Sequence, residues 1–350
     1  MKDQDSDEIS ASPCPNCYVC GAAGKTLYSG LRDRLFNAPG EWSLKKCPNT
    51  DCGLVWLDPM PSEKAITLAY RDYYTHQDPE GISATRTRRA YASIQEGYLA
   101  QRYGYFRGSA PAWKKLLGML LYLHPGRRED VDFHVMYLPA APQDHLLEIG
   151  CGGGKLLTGM KQMGWKVEGV DFDDAAVENA RSKGLRVQRG TVKDQAYPND
   201  HFEVIFMSHL LEHVHDPGPL LQEVHRILKP GGRLILITPN IESLGHRIFQ
   251  EAWRGLEVPR HLHIFTMKAL RNLAEKAGFT VKQARVTVRN ARGAYLASRS
   301  IQKAARAGKE KASIQEPNIQ AELWQFMEWI ISRVKPGLGE ELLLFAGKEI

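Results

Sequence analysis

A turn rich in glycine, placed between a strand and a helix, constrains this chain more than any other feature. The segment Glu148-Ile-Gly-Cys-Gly-Gly-Gly-Lys155 begins within a predicted strand at residues 146–149 and leads into a helical pattern over residues 155–163. Glycine lacks a Cβ, so a ligand can approach the backbone where any other side chain would collide with it. The turn therefore predicts a small-molecule site at the carboxyl end of a buried strand.

The residues around this turn indicate which ligand it binds. The dinucleotide pattern Gly-x-Gly-x-x-Gly fails because its third glycine position holds Lys155, whereas Gly-x-Gly-x-Gly fits at Gly150, Gly152 and Gly154. A pyrophosphate would be repelled by Glu148, which would instead attract a cationic amino-acid group. Asp171 lies where a carboxylate accepts the hydrogen bonds of a ribose diol. S-adenosylmethionine carries that cation and no phosphate.

Short apolar strands alternate with helical patterns after residue 145, which favours a parallel sheet covered on both faces. We expect strands at residues 146–149, 167–170, 185–188, 204–207 and 234–238, another strand from Phe279, and a last strand at 341–346. Residues 229–232, Lys-Pro-Gly-Gly, are expected to separate a helix from the strand that follows. Asp173 or Asp174 and Thr266 are expected to cap two of the helices.

Five of the six cysteines lie in the first 52 residues, which favours a metal site over disulfides. The pairs Cys17-x-x-Cys20 and Cys47-x4-Cys52 have the spacing of a zinc ribbon, and each ends in Cys-Gly. Cys14 could replace Cys17, but only Cys17 places the glycine equivalently in both pairs. Buried thiols without a metal are the alternative. A four-cysteine zinc site would be structural.

Residues 146 to about 290 resemble a class I S-adenosylmethionine-dependent methyltransferase, with Leu-Leu-Glu-Ile-Gly-Cys-Gly-Gly-Gly, Gly-Val-Asp, Leu-Leu-Glu-His-Val and Leu-Lys-Pro-Gly-Gly-Arg in the family's order. The resemblance implies an α/β Rossmann-like core with a seven-stranded sheet whose last strand is antiparallel. It also implies roles in binding the methyl donor for Phe172, Thr191, Val192, Ser208 and His209. The family often has an acid after Gly190, where this chain has Thr191.

Two histidine-rich segments follow strands of the predicted core, namely Ser208-His-Leu-Leu-Glu-His-Val-His215 and Pro259-Arg-His-Leu-His263. Methyl transfer to a hydroxyl or an acidic C–H requires a base, and histidine suits that role near neutral pH. We therefore predict catalytic roles for His209, His213 and His261, and an anion-binding role for Arg260. A structural role is the alternative for each of these histidines. Tyr73 and Tyr74 could close over the donor.

Further resemblances concern the metal and the acceptor. Some O-methyltransferases of quinone synthesis hold a divalent metal through Glu-x-x-Glu-His, but this chain has His209 at the first position, which argues against a catalytic metal. A zinc ribbon before such a core resembles sugar C-methyltransferases and related enzymes of glycan or natural-product assembly. The expected acceptor is a small molecule or glycan, such as an anionic nucleotide- or lipid-linked sugar.

The alternative function is a zinc-ribbon RNA methyltransferase. A net charge of +6 over 350 residues is far from the strongly basic character of a dedicated nucleic-acid binder. The predicted fourth strand ends in Ser-His-Leu-Leu, unlike the Asn/Asp-Pro-Pro-Tyr signature of exocyclic amino methylation. Nucleic acid is therefore the less favoured substrate. A non-catalytic binding protein with the same fold is a third hypothesis.

The start of the chain lacks a secretion signal, and no apolar run is long enough to span a bilayer, so we expect a cytoplasmic protein. Residues 113–123 are almost wholly apolar and predict a buried helix, with peripheral membrane contact as the alternative. The apolar stripe near the end of the chain could pack on the core or in a homodimer. The predicted domains are a zinc ribbon (1–60), a helical linker (61–144), a donor-binding core (145–290) and a C-terminal extension (291–350).

Overall fold

A computed structural model describes residues 9–71, 86–106, 111–314, 316 and 318–350 of the chain, with side chains from residue 90 onward in the helix that begins at residue 86. The strands are β1 Ala11–Ser12, β2 Lys25–Leu31, β3 Trp42–Lys46, β4 Val55–Leu57, β5 Met60–Pro61, β6 His145–Ile149, β7 Lys166–Asp171, β8 Arg186–Arg189, β9 Phe202–Ser208, β10 Leu228–Pro239, β11 His263–Ile264, β12 Thr280–Thr287 and β13 Glu341–Gly347. The α-helices are α1 Arg86–Arg102, α2 Ala112–Gly118, α3 Pro125–His134, α4 Lys155–Gln162, α5 Asp174–Ser182, α6 Pro217–Ile227, α7 Leu244–Phe249, α8 Met267–Lys276, α9 Ala291–Arg306 and α10 Ile319–Val334.

A seven-stranded sheet has the order β12-β13-β10-β9-β6-β7-β8. Its centre is parallel: Leu146 of β6 lies opposite Val167 of β7 and Val204 of β9, and β7 pairs in parallel with β8. The apolar side chains of β6 and β9 are fully buried, as expected for a strand covered on both faces. The predicted α/β class I methyltransferase fold with a seven-stranded sheet is confirmed.

Two of the helix caps expected from the sequence are present. Asp173 accepts a hydrogen bond from the Ala176 N–H at 2.9 Å, and the Thr266 hydroxyl accepts one from the Ala269 N–H at 3.1 Å, so both predicted caps are confirmed. The predicted helix does end before residues 229–232, at Ile227, but β10 begins at Leu228 and not at residue 234 as expected. Gly231 has a φ of +76° and donates a hydrogen bond to the Lys348 carbonyl, which keeps this segment in the strand.

The chain divides into two compact units, and unit 1 comprises residues 1–74, 208–222 and 236–346. Within unit 1 the cysteine-rich segment forms a four-stranded sheet of order β11-β4-β3-β2, in which β4 pairs antiparallel with both β3 and β11. Trp42, Leu44 and Leu57 pack in one apolar cluster with Leu262 and Ile264. The sheet that begins in the cysteine-rich segment is thus completed by a strand from the histidine-rich loop.

Unit 2 comprises residues 75–207, 223–235 and 347–350 and contains the glycine turn. Its helix α2 continues as a 3-10 helix over Met119–Leu123. The predicted buried helix at residues 113–123 is wrong, because the side chains of Trp113, Leu116 and Leu123 are 57%, 69% and 76% exposed. Within the described segments, no helix has the length and apolar character that a membrane crossing requires.

Candidate functional site

The glycine turn of unit 2 joins β6 to α4 with its backbone in the left-handed region. Gly150, Gly152 and Gly154 have φ values of 75°, 50° and 72°. A Cβ built on Gly152 would meet no atom within 4 Å, whereas one on Gly154 would lie 2.3 Å from Leu185 Cδ1. Gly154 is therefore required for packing, and the space beside Gly152 is open to a ligand.

Two carboxylates flank this turn and differ in the number of hydrogen bonds that they accept. Asp171, the last residue of β7, accepts hydrogen bonds from the N–H groups of Gly152 at 2.7 Å and Asp173 at 3.0 Å. Glu148 is 4% exposed, and its Oε2 has no hydrogen-bond partner among the residues that the structure describes. Burial and the nearby Asp171 charge raise the pKa of Glu148 well above its usual value. A cationic group bound beside Glu148 would relieve this penalty.

Phe172 and Thr191 lie in unit 2 at the ends of neighbouring strands. The ring of Phe172 is 57% exposed directly after Asp171, while Val192 is buried. The Thr191 hydroxyl and its backbone N–H both donate to Asp194 Oδ2, at 2.7 and 2.8 Å. This chain has Thr191 where the family often has an acid, and the Asp194 side chain places a carboxylate in the same turn. Sequence reasoning missed Asp194, although a threonine three residues before an aspartate is a common local hydrogen-bonding pattern.

Four thiols converge in unit 1. The Sγ atoms of Cys17 and Cys52 are 3.6 Å apart and those of Cys20 and Cys47 are 3.3 Å apart, and the four Sγ atoms all lie within 4.8 Å of one another. Thiolates on a tetrahedral zinc, at Zn–S distances of about 2.3 Å, are about 3.8 Å apart. Cys14 lies outside this group, with its N–H bonded to Asp58. The donor set and its spacing fit zinc.

His209 follows β9 in unit 1 and bridges two buried carboxylates. Its Nε2 lies 2.7 Å from Glu341 Oε1, and its Nδ1 lies 3.3 Å from Glu212 Oε1. Arg289 also pairs with Glu341, and Thr238 donates to Glu212. Burial lowers the pKa of His209, but the two carboxylates outweigh it and raise the pKa to about 9. His209 is therefore a cation at neutral pH, which does not suit the predicted role of base.

Arg260 is fully buried in unit 1, and its guanidinium is surrounded by acceptors. It pairs with Asp33 at 2.7 Å and with Glu257 at 3.1 Å, and it donates to the Ala69 carbonyl at 2.8 Å. The Phe36 ring covers it at 4.8 Å. These surroundings differ from the predicted role of anion clamp, because two protein carboxylates already neutralise the guanidinium. Arg260 instead joins the cysteine-rich segment to the histidine-rich loop.

His261 lies beside Arg260 and is 3% exposed. Its Nδ1 hydrogen-bonds to the Gly255 carbonyl at 2.8 Å, and its Nε2 lies 3.4 Å from Glu257 Oε2. Burial lowers the pKa of His261 to about 4, so the ring is neutral at pH 7. Its burial makes a direct contact with an acceptor difficult, which favours a positioning role over the predicted role of base.

His213 is half-buried and belongs to the same group of unit 1. Its Nδ1 lies 2.9 Å from the Tyr70 hydroxyl and 3.0 Å from the Arg260 carbonyl oxygen, and its ring meets that of His261 edge-on at 4.7 Å. Because a carbonyl only accepts, Nδ1 carries the proton and Nε2 keeps the lone pair. Burial lowers the pKa of His213, so it is available as a base at neutral pH.

Residues 123–284 match the profile of a family described as a methyltransferase domain. The chain contains a class I methyltransferase domain. The predicted enzyme class, an S-adenosylmethionine-dependent methyltransferase, is confirmed for this methyltransferase domain.

Curated relatives of the methyltransferase domain carry related names. A ubiquinone biosynthesis O-methyltransferase from Alkalilimnicola ehrlichii is 31% identical over 142 residues, which cover 39% of this chain and 58% of the relative. A probable S-adenosylmethionine-dependent methyltransferase from Mycolicibacterium smegmatis is 30% identical over 159 residues, covering 45% and 59%. The chain thus spans under two thirds of these relatives. A methyltransferase structure from Mesorhizobium loti aligns with a TM-score of 0.45 and 18% identity, covering 63% of this chain and 97% of that one.

The remaining predicted site residues are placed as follows. Ser208 is the last residue of β9 and is half-buried, and Tyr73 and Tyr74 lie outside the described residues. Glu212, His213 and His261 each offer one ligand atom, and these atoms lie within 4.8 Å of one another. Asp33, Glu257 and Glu341, the carboxylates that pair with Arg260 and His209, were not predicted. Of these three, only Glu257 could have been found from the sequence, since it lies three residues before its partner Arg260.

Proposed function

We propose that the protein transfers a methyl group from S-adenosylmethionine to an oxygen or carbon of a small-molecule acceptor. The methyltransferase domain and the named O-methyltransferases among its relatives support this reaction. The observation that carries the proposal is the buried Oε2 of Glu148, left without a partner beside the open glycine turn. S-adenosylmethionine supplies the methyl group when bound.

We assign the donor contacts to unit 2. Glu148 balances the charge of the donor's amino group, because a buried carboxylate with a raised pKa gains most from a nearby cation. Asp171 keeps acceptor capacity for the ribose hydroxyls beyond the two backbone N–H groups that orient it. The exposed ring of Phe172 covers the adenosine, and Asp194 with Thr191 meets the adenine edge.

We assign the acceptor contacts to a cavity of unit 1. The cavity has a volume of about 540 Å³, and its charged lining comprises Arg32, Arg34, Arg71, Asp33, Glu41 and Glu310. Arg260 compensates Asp33, so positive charge is in excess along the remaining wall. This charge suits an acceptor with a phosphate or carboxylate, such as a nucleotide- or lipid-linked sugar.

Proton removal is assigned to His213. It is neutral at pH 7 and less buried than His261. Arg260 and Glu257 act as positioning residues, because Arg260 presents its carbonyl to His213 and Glu257 lies beside His261. The four cysteines Cys17, Cys20, Cys47 and Cys52 hold a structural zinc ion, which stabilises the sheet that carries β11.

Calorimetry tests the donor assignment. Asp171→Asn should weaken binding of S-adenosylmethionine about a hundredfold, whereas Asp174→Asn, a matched change of an exposed neighbour that pairs with Arg189, should leave it unchanged. Equal affinity of Asp171→Asn and wild type would refute the donor pocket. Metal analysis should find about one zinc per chain, and Cys17→Ser should remove it while Cys14→Ser retains it.

Methyl transfer from labelled donor identifies the acceptor class. Separate pools of anionic metabolites, extracted lipids and RNA are incubated with the protein, and label is expected in an anionic small molecule or lipid-linked acceptor. Arg34→Ala should raise KM for that acceptor, while Arg271→Ala on α8 should not. Label in RNA alone would establish the alternative function. His213→Gln should lower kcat at least about tenfold with unchanged donor affinity, and an unchanged kcat would remove His213 from catalysis.

A further inference from the structure

An exposed apolar surface lies on α2 and the 3-10 helix that continues it. We define this apolar face as the side chains of Trp113, Leu116, Leu117, Leu120 and Leu123, all of which are exposed. Met119 and Tyr122 beside it are exposed as well. Monomeric soluble proteins rarely present so many large apolar side chains in one contiguous segment, so such a surface marks an interaction site.

The packing of α2 on α1 holds this face outward. A Cβ on Gly118 would lie 2.3 Å from the Tyr98 backbone nitrogen, and one on Gly97 would lie 1.8 Å from the Lys114 carbonyl oxygen. The two backbones therefore touch, and Leu121 fills the contact from the same side. Because glycine contacts this tight fix the rotation of α2, the helix cannot turn to bury the apolar face against α1.

The segment that carries the apolar face is basic, although Glu96 of α1 pairs with Lys114, and Glu129 and Asp130 follow Arg128. Residues 111–128 contain Lys114, Lys115, Arg127 and Arg128 and no acidic residue. Lys114 pairs with Glu96 at 2.7 Å, while Lys115 and Arg127 are exposed. An apolar helix face bordered by cations is complementary to a membrane with anionic headgroups, where lysine and arginine stems lie along the interface and tryptophan prefers the headgroup level.

We propose that residues 113–123 bind the surface of an anionic lipid bilayer. The segment is too short to cross the membrane, so it lies in the plane of the interface with its apolar face among the acyl chains. Burial of the leucines and of Trp113 provides the affinity, and Lys115, Arg127 and Arg128 provide the preference for anionic lipids. This function goes beyond methyl transfer, and residues 113–122 precede the part of the chain that matches the family profile.

Vesicle sedimentation of the full chain tests this proposal. The protein should sediment with vesicles of phosphatidylcholine and phosphatidylglycerol, and far less with phosphatidylcholine alone. The double change Leu116→Glu with Leu120→Glu should weaken binding at least about tenfold, since it places two charges among the acyl chains. The matched control is Leu323→Glu with Ile330→Glu on α10, which alters another exposed apolar face, in a segment (319–335) that contains as many acidic as basic residues. The control variant should bind as wild type does.

Several outcomes would overturn the proposal. The first is wild-type protein that stays in the supernatant with both vesicle types. Another is a Leu116→Glu, Leu120→Glu variant that binds vesicles as tightly as wild type. Dissociation of a dimer by that variant on size-exclusion chromatography, without vesicle binding, would assign the face to a contact between copies. Donor binding by calorimetry and the midpoint of thermal unfolding establish that each variant is folded.

Discussion

The glycine turn of unit 2 differs from the histidine group of unit 1, which comprises His209, His213, Arg260 and His261. The difference lies in whether the buried polar groups have partners. The glycine turn leaves a buried carboxylate oxygen of Glu148 without a partner and open space beside Gly152. In the histidine group, by contrast, His209 and Arg260 each lie between two carboxylates. An unpaired polar group costs stability that a ligand can return, whereas paired groups stabilise the fold itself. A ligand could therefore stabilise the unpaired carboxylate of Glu148, whereas the ion pairs of His209 and Arg260 already stabilise unit 1.

The largest expected effect comes from breaking the pairing of Arg260. Arg260→Met should lower the free energy of unfolding by about 3–5 kcal/mol, because Asp33 would stay buried without its cation and Glu257 would keep only one arginine pair, that with Arg254. Urea denaturation measures this change. Arg271→Met removes an exposed pair with Glu275 and should cost less than about 1 kcal/mol. Similar losses in both variants would mean that Arg260 does not stabilise unit 1.

Alanine substitutions at Gly154 and Gly152 should distinguish a glycine that is needed for packing from one that is needed for ligand binding. Gly154→Ala should destabilise the protein by about 2 kcal/mol or more, because its methyl group would overlap Leu185 and its φ is positive. Gly152→Ala meets no atom, so only backbone strain of about 1 kcal/mol is expected, together with weaker donor binding. Thermal unfolding and calorimetry measure the two effects. Equal destabilisation by both alanines would contradict this distinction.

The pH dependence of the free energy of unfolding should reveal two kinds of buried histidine, those with a lowered pKa and one with a raised pKa. Burial lowers the pKa of His246 and His263 to about 4 from 6.5, so the unfolded chain binds more protons and stability falls as pH drops from about 6.5 to 4. The pKa of His209 is raised to about 9, so its contribution is complete below pH 6.5 and is lost as pH rises through 9. Each contribution is about 3 kcal/mol, because a pKa difference of one corresponds to about 1.4 kcal/mol.

Unfolding experiments across this pH range test the assignment with two variants. His209→Gln should reduce the loss of stability above pH 6.5, to which the buried Glu340 also contributes because burial raises its pKa to about 8, and His263→Gln should reduce the loss below it. The slope of stability against pH is the relevant measurement, because either substitution also changes stability at neutral pH. An alkaline slope that is unchanged in His209→Gln would show that other groups are responsible.

The smallest effect on stability is expected at Glu148. Glu148→Gln removes a buried charge whose pKa is raised by burial and by Asp171, so the protein without donor should be as stable as wild type or slightly more stable. Donor affinity should nevertheless fall about tenfold, because a cation would lose its partner. A clear loss of stability in Glu148→Gln would place Glu148 among the residues that hold the fold.

Short-range patterns made the glycine turn predictable from the sequence. The turn, Glu148 and the carboxylate at the end of the next strand lie within 24 residues, and the alternation of strands and helices fixed which strand ends meet. The pairs that decide the histidine group join residues far apart, such as Asp33 with Arg260 and His209 with Glu341. Nothing in the local sequence of Asp33 indicates its partner, so the burial of Arg260 could not be predicted.

The prediction of a buried helix at residues 113–123 was wrong for a different reason. Its composition correctly predicted a helical segment but could not show whether another element covers it. The close contact of α2 with α1 depends on Gly97 and Gly118, which composition alone does not reveal. The hydrophobicity of the segment therefore did not show whether its apolar side chains pack inside the fold or stay exposed.

The pairing of β11 with β4 has a practical consequence for truncation. Because His263 and Ile264 complete the sheet begun by the first 57 residues, a shortened chain that starts after residue 60 would expose a strand edge. The same cut would remove Asp33 and leave Arg260 as a buried cation with one carboxylate fewer. A fragment limited to the methyltransferase domain should therefore aggregate on expression, however complete its glycine turn.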